Sequence, residues 1–173
     1  MLSQATTSPA TARATTTPAS PLIERDSKAV RTATITLSDG TKLCGPLSTT
    51  PAKPLRVYIE ETKEYVDVPI EEVASMKAEV VWERDEREWQ FKLSGSDEKV
   101  YSGKTYPARE TRYTIKMLDG KAVAGSIAAP IYLKQGDESK TLVLHKRDKG
   151  EVGQTLKQLI YVKEVYFDAK DHP

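Results

Sequence analysis

Apolar and polar residues alternate along most of the chain after about residue 30, which is the period of half-buried β-strands. The alternation is clearest over residues 33–47 and 113–127. In each segment it continues on both sides of an Asp-Gly pair, Asp39-Gly40 or Asp119-Gly120. Asp-Gly tolerates the positive φ angles of a two-residue type I′ turn, so each segment is predicted to be a β-hairpin.

The two hairpins are copies of one unit, because they align without a gap at a spacing of 80 positions. The matched pairs are Ile35 with Ile115, Leu37 with Met117, Leu43 with Val123, Gly45 with Gly125 and Leu47 with Ile127. A glycine inside the outgoing strand predicts a bulge or a sharp bend there. Such a bend would let a short sheet curl into a small barrel.

The later strands are predicted to match as well, with different loop lengths. A third strand at 55–60 corresponds to one at 141–146, which follows a longer loop at 128–140. The closing segments, 66–76 and 159–167, each suggest a kinked strand or a single 3₁₀ turn before a short strand. Short strands at regular spacing favour a small barrel over alternating βα units.

The pattern Ile-x-Leu-x-Asp-Gly-x-x-Leu-x-Gly-x-Leu, followed by further strands, resembles the Sm-like fold shared by Sm proteins and Hfq, within the broader SH3-like small barrels. The resemblance covers residues 31–79 and 111–168 and implies an all-β chain of two tandem small barrels. It does not extend to the RNA site of Hfq, whose closing segment has a Tyr-Lys-His motif. Pro69, Ile70 and Glu71 stand at the matching positions of the first copy.

The domain organisation predicted from these patterns has four parts. Residues 1–30 form an Ala/Thr/Ser/Pro-rich tail, 31–82 the first barrel, 83–110 a connector and 111–170 the second barrel. The tail is predicted to be disordered because it cannot bury enough apolar surface to offset its ordering entropy. It lacks the apolar run of a secretion signal, and the alternatives are a processed tether to the cell envelope or a targeting peptide.

The connector is predicted to be rich in strand. Trp82 and Trp89 are seven positions apart and would share one helix face, whereas Trp89, Phe91 and Leu93 alternate as in a strand. We predict a strand to about Trp82, then a charged turn, then a second strand. Both tryptophans are predicted to pack in the core or between the barrels, and an exposed aromatic platform for binding is the alternative.

Charge and hydropathy bear on the partners. The chain has 26 Lys+Arg and 25 Asp+Glu, and residues 111–170 alone carry 11 basic and 7 acidic side chains. Dedicated nucleic-acid binders are usually strongly basic, so weak nucleic-acid binding through the second barrel is the alternative and not the first hypothesis. No stretch approaches the roughly 18 apolar residues of a membrane span. Cys44 is the only cysteine, so no intrachain disulfide can form, and this favours a reducing, cytoplasmic location.

The chain offers little catalytic chemistry. Cys44 is the only cysteine, and His145 and His172 are the only histidines, too few for the three or four clustered ligands of a zinc site. Residues 102–105, Ser-Gly-Lys-Thr, match the end of a phosphate-binding loop, but Glu98 stands where that motif needs glycine. We therefore predict no metal, no cofactor and no enzymatic activity, and an enzyme that uses Cys44 or His145 is the third hypothesis.

The first hypothesis is a non-enzymatic binding or scaffold module that acts through protein–protein contacts or self-association. Small barrels expose strand edges, and such edges can recruit a peptide or a second copy. The candidate surface combines the tryptophans, one tyrosine of the 128–140 loop and a basic segment. These residues are Trp82, Trp89, Tyr132, His145, Lys146, Arg147 and Lys149.

Overall fold

The computed structural model describes residues 30–51 and 53–168, and the predicted tail lies outside them except for Val30. Within those residues the chain forms eleven strands and two 3₁₀ turns. The strands are β1 (Val30–Leu37), β2 (Lys42–Thr49), β3 (Leu55–Ile59), β4 (Glu64–Val68), β5 (Val73–Phe91), β6 (Lys99–Met117), β7 (Ala122–Ile127), β8 (Ala129–Gln135), β9 (Glu138–Leu144), β10 (Arg147–Lys149) and β11 (Val162–Phe167). The 3₁₀ turns are Ile70–Glu72 and Leu156–Gln158, directly before and shortly before the closing strands of the two copies.

The strands form one antiparallel sheet in the order β4-β3-β7-β6-β5-β11-β1-β2-β8-β9, with β10 paired to β6. The all-β prediction is therefore confirmed. The sheet is open, because β4 and β9 lie at its two ends. It does not close into the two barrels expected from the sequence.

The strand order interleaves the two sequence copies. β1 pairs with β11, and β2 pairs with β8, so both strands take a neighbour from the second copy. The reciprocal pairings are β6 with β5 and β7 with β3. The registers match: Ile35 lies opposite Val165 in one half of the sheet, and Ile115 lies opposite Met76 in the other. The sheet thus has approximate twofold symmetry about the β5–β11 pair, where Met76 lies opposite Val165.

The repeated glycines lie where strands of opposite copies approach closely. A Cβ on Gly45 would stand 2.2 Å from the carbonyl oxygen of Lys134 in β8. A Cβ on Gly125 would stand 2.4 Å from the carbonyl oxygen of Tyr58 in β3. The β1–β2 and β6–β7 registers pass both glycines without a bulge. The predicted bulge is therefore wrong, and glycine is needed here for backbone contact between the copies.

Both Asp-Gly hairpins are present, but their loops are one residue longer than the predicted type I′ turn. The N–H of Leu37 donates to the carbonyl of Thr41 at 2.9 Å, and the N–H of Gly40 donates to the carbonyl of Leu37 at 3.1 Å. Gly40 has a positive φ of 89°, whereas Asp39 does not have a positive φ. The Asp39 carboxylate instead accepts the N–H of Thr41 at 2.9 Å. A type I′ turn needs two positive φ angles, so that prediction is wrong.

The predicted loop at 128–140 is mostly strand. β8 and β9 form a hairpin whose register runs from Ala129 opposite Leu144 to Gln135 opposite Glu138. Ile131 is fully buried and its strand pairs with β2. The pairing of β8 with β2 mirrors that of β3 with β7. The counterpart of β3 is thus β8, and not the 141–146 segment that the sequence suggested.

The predicted charged turn after Trp82 is also strand. β5 and β6 are 19 residues each and pair along most of their length, from Val73 opposite Met117 to Phe91 opposite Lys99. The reversal falls at residues 92–98. Charged residues 83–88 are tolerated because most of them are exposed in a ribbon of only two strands. We call residues 84–91 and 99–106 the ribbon.

The core is one cluster of buried side chains that draws on both copies. Its largest fully buried side chains include Ile35, Leu47, Leu55, Tyr113, Ile115, Ile131 and Leu133. Arg31 is also buried, and its guanidinium donates to the carbonyls of Ile70 and Val73 around the first 3₁₀ turn. The same guanidinium lies 4.8 Å from the ring centroid of Phe167. Arg31 therefore joins the first 3₁₀ turn to the closing strand of the other copy.

Candidate functional site

The predicted binding residues are distributed over separate parts of the surface. Trp82 lies at the root of the ribbon, Trp89 near its far end, and Lys146 beside a groove formed by both copies. Tyr132 is half-buried in β8. His145 directly follows β9, with its Nε2 atom 3.8 Å from the Asp148 carboxylate, and is not the mid-strand residue that the sequence suggested.

The Trp82 cluster forms where β10 pairs with the root of the ribbon. Its members are Trp82, Arg84, Glu86, Tyr106, Arg147 and Lys149. The guanidinium groups of Arg84 and Arg147 lie 4.4 Å and 5.4 Å from the ring centroid of Trp82. The indole Nε1 donates to Glu110 at 2.7 Å. Trp82 is thus a packing residue whose ring is held by two cations.

The charges of the Trp82 cluster satisfy one another. The Glu86 carboxylate accepts from Arg147 at 2.6 Å and from the Tyr106 hydroxyl at 3.2 Å. Burial and the neighbouring Glu86 raise the pKa of Tyr106. Burial acts to raise the pKa of Glu86, but Arg84 and Arg147 outweigh it and the pKa is lowered. The cluster fastens β10 to the ribbon and presents few free polar groups.

A groove of about 400 Å³ lies between β3–β4 and the start of β10. It is lined by Arg56, Tyr58, Tyr65, Ser126, Ile127, Ala128 and Lys146. The ring centroids of Tyr58 and Tyr65 are 5.1 Å apart. Lys146 bonds to Glu60 at 3.0 Å, and Arg56 bonds to Asp67 at 3.1 Å. Both cations of the groove therefore already have an acidic partner within the chain.

The far end of the ribbon exposes several aromatic side chains close together. Trp89 lies opposite Tyr101, and its ring makes an edge contact with Phe91 at 5.0 Å between centroids. Lys99 lies over the Trp89 ring at 4.0 Å. The exposed fractions are 38% for Trp89, 52% for Phe91, 69% for Leu93 and 55% for Tyr101. We call these four residues the ribbon end.

Only part of the ribbon end follows from the sequence. Trp89 is among the predicted binding residues and alternates with Phe91 and Leu93, whereas Phe91, Leu93 and Tyr101 are not among them. The alternation was the available signal, because alternating residues share one face of a strand. The exposure of this face could not be predicted in the same way, because it depends on the path of the rest of the chain. Tyr58 and Tyr65 of the groove were not selected either.

Asp148 in β10 is a half-buried carboxylate opposite Arg109 in the strand register. Burial raises its pKa above the ordinary 3.8, although His145 and Arg109 act in the opposite direction. A raised pKa means that the charged carboxylate opposes folding at neutral pH, and that this effect disappears below the ordinary pKa. Asp148→Asn is therefore expected to raise the melting temperature by about 2 °C at pH 7.

The check is thermal unfolding of Asp148→Asn and the unmodified protein between pH 3 and pH 8. The gain should shrink as the pH falls towards 3.8, where the unfolded-state carboxylate also becomes protonated. Asp137→Asn, a change at an exposed residue in the β8–β9 turn, is the matched control and should show no gain. Equal melting temperatures for Asp148→Asn and the unmodified protein at pH 7 would contradict the expectation.

The described residues contain neither a cluster that could hold a metal ion nor a helix that could span a membrane. Within residues 30–51 and 53–168, no group of three or more His, Cys, Asp or Glu side chains is arranged to hold a metal ion. In the same part of the chain, no helix has the length and apolar character needed to cross a membrane. Cys44 is exposed, with its Sγ atom 3.4 Å from the hydroxyl of Thr34.

The comparisons with known proteins give no family for this chain. The function is therefore proposed from contacts within the molecule, and the ribbon end is the candidate site. No protein-family model matches the sequence, and neither does any curated protein or solved structure.

Proposed function

We propose that this protein is a non-enzymatic binding or scaffold module that holds a protein partner at the ribbon end. The observation that carries the proposal is the exposure of Trp89, Phe91 and Tyr101 on a two-stranded ribbon, with Leu93 exposed in the reversal that follows β5. Exposed apolar patches mark interaction sites, and aromatic residues are enriched in the cores of protein interfaces. A two-stranded hairpin is also marginally stable by itself, so a partner that covers it would stabilise it.

The charges around the ribbon end favour a protein over a membrane surface. Lys92 and Glu98 pair at 2.9 Å across the reversal, and Asp97 lies beside them. Basic and acidic residues are thus mixed, whereas contact with an anionic lipid surface is typical of clustered Lys and Arg. A mixed polar rim around an aromatic centre is the usual composition of a protein interface.

We also propose that each half of the sheet is an Sm-like unit assembled from both copies. One half consists of β1, β2, β8, β9 and β11, and the other of β6, β7, β3, β4 and β5. Support comes from the five strands of each half and from the 3₁₀ turn that precedes each closing strand. In this interpretation the two units serve as the frame from which the ribbon projects.

The alternative, nucleic-acid binding, has less support. The groove combines tyrosine rings with Arg56 and Lys146, as single-strand binders do. However, Glu60 and Asp67 already neutralise these cations. A phosphate would have to displace a carboxylate at each position.

The test is quantitative affinity capture with the unmodified protein and with a Trp89→Ser/Phe91→Ser variant. Proteins bound through the ribbon end should be recovered about tenfold less with the variant, because aromatic residues at the centre of an interface carry much of its binding energy. Both side chains are exposed, so the fold should persist, as circular dichroism can check.

Tyr166→Ser is the matched control for this capture, since Tyr166 is 52% exposed in β11 and lies away from the ribbon. It should recover the same proteins as the unmodified chain. Equal recovery with all three proteins would show that the ribbon end holds no partner.

A further inference from the structure

One backbone edge of the ribbon is covered at its root, and the other is open along residues 84–91. On the β6 side, the chain after β10 covers the edge as far as Thr105, since Gly150 donates to the carbonyl of Pro107 at 2.8 Å and Gly153 to that of Thr105 at 3.0 Å. On the β5 side, β11 pairs only with Ser75–Lys77. Among the described residues, no strand pairs with the outer edge of residues 84–91, which we call the free edge. Free strand edges are templates for pairing with another chain.

The free edge carries two opposite charges that nothing within the described chain satisfies. Asp85 and Arg87 are both exposed, and neither makes a side-chain hydrogen bond or an ion pair with a described residue. They are two positions apart in an extended strand and so point to the same face. The intervening Glu86 differs, because its carboxylate is bonded to Arg84, Arg147 and Tyr106.

These charges are self-complementary when the free edge pairs with an identical edge. Antiparallel pairing about a twofold axis at Glu86 places Asp85 opposite Arg87 of the second copy, and Arg87 opposite its Asp85. Directly opposed opposite charges stabilise an antiparallel pair, and like charges in those positions destabilise it. The two Glu86 residues would face each other, but each has its charge compensated by its own Arg84 and Arg147.

We infer that the partner of the free edge is a second copy of this chain. The two copies join β5 to β5 in a twofold dimer, with Asp85 and Arg87 forming two symmetric ion pairs across the axis. The backbone of Trp89 and Phe91 belongs to both the free edge and the ribbon end, but the ion pairs of the dimer use neither side chain and do not require a partner at the ribbon end.

Two charge reversals and their mixture test the dimer. Asp85→Arg places two Arg residues opposite each other on each side of the axis, and Arg87→Asp places two Asp residues there. Each variant is expected to dimerise roughly tenfold or more weakly than the unmodified protein. In an equimolar mixture, the Arg-bearing edge faces the Asp-bearing edge, so a heterodimer of about the original affinity should form.

Analytical ultracentrifugation over a range of protein concentrations measures the dimerisation of the unmodified protein, of each single variant and of the equimolar mixture. Lys116→Asp, an exposed reversal in β6 outside the ribbon, is the matched control and should dimerise like the unmodified protein. If a single reversal proved to be unfolded by circular dichroism, the exchanged variant Asp85→Arg/Arg87→Asp restores opposite charges and should dimerise.

Three results would overturn the inference. They are an unmodified protein that stays monomeric at every concentration, single reversals that dimerise as well as it does, and a mixture that associates no better than its components. The ribbon-end capture experiment can fail without affecting any of these outcomes, because it changes no residue of the charged pair.

Discussion

Replacing either repeated glycine with alanine is expected to destabilise the protein by about 3 kcal/mol, since overpacking a tight contact commonly costs that much. A Cβ on Gly45 would stand 2.2 Å from the carbonyl oxygen of Lys134, and one on Gly125 would stand 2.4 Å from that of Tyr58. Both contacts are with backbone, which cannot rotate away as a flexible side chain could. Relief would require β8 or β3 to move away from the strand that it pairs with. Chemical denaturation monitored by circular dichroism measures the effect.

The glycines of the two Asp-Gly turns are the matched controls. Gly40 and Gly120 have positive φ angles of 89° and 87°, and a Cβ on either would meet nothing within 4 Å. Alanine there should cost only the roughly 1–2 kcal/mol of a left-handed conformation. If Gly45→Ala and Gly125→Ala cost no more than Gly40→Ala, the close approach of the two copies would not be a tight contact.

The second large effect is expected at Arg31, where methionine should lower the free energy of unfolding by about 2 to 3 kcal/mol. Arg31 is 5% exposed and donates to the carbonyls of Ile70 and Val73. Methionine fills similar space against Phe167 but leaves those buried carbonyls without this donor, and an unmade buried hydrogen bond costs about 1–3 kcal/mol. Among the described residues the Nε of Arg31 has no hydrogen-bond partner, which keeps the expected loss of stability at the lower end of the range for a buried cation.

Arg56→Met is the control for Arg31→Met, because the Arg56 side chain is 67% exposed and, within residues 30–51 and 53–168, its only ion pair is with Asp67. Exposed ion pairs contribute little, so this change should stay within about 0.5 kcal/mol. The same denaturation experiment serves both variants. If the two variants lost a comparable amount of unfolding free energy, the contacts of Arg31 would not be holding the 3₁₀ turn in place.

The local elements of this fold could be predicted from the sequence. Alternation on both sides of Asp39-Gly40 and Asp119-Gly120 located two hairpins, because side-chain period and turn chemistry act within a few residues. A single 3₁₀ turn in each closing segment was one of the two predicted forms; Ile70–Glu72 lies within the predicted segment 66–76, whereas Leu156–Gln158 lies before the predicted segment 159–167. The exact turn type could not be predicted, because it depended on the Asp39 side chain accepting the N–H of Thr41.

The strand pairing could not be predicted, because the two copies carry the same apolar pattern. β2 presents Leu43 and Leu47 to the core, and a third strand from either copy offers suitable apolar residues opposite them. Alternation gives the face of a strand but not the identity of its neighbour. The 128–140 segment was predicted to be a loop for the same reason, because the alternation of Ile131 and Leu133 does not show which strand would pair with it.

Those features of the candidate site that depend on neighbouring residues could be predicted from the sequence. The features that depend on residues far away along the chain were missed. Trp89 and the strand through Phe91 follow from alternation, whereas their exposure requires that no other segment cover the ribbon. Trp82, which has the same residue type, is covered by Arg84 and Arg147. The opposite environments of the two tryptophans are set by β10, which reaches the root of the ribbon and not its end.

The pairing of β1 with β11 has a consequence for synthesis on the ribosome. Ala33 at the start of the described chain lies opposite Phe167 near its end, so the middle of the sheet cannot assemble until the last strand has been made. Contacts between such distant parts of a chain slow folding and leave unpaired strands exposed in the meantime. In the nascent first copy, β1 and β2 can pair with each other, but their outer edges are expected to stay unpaired until β8 and β11 have been made.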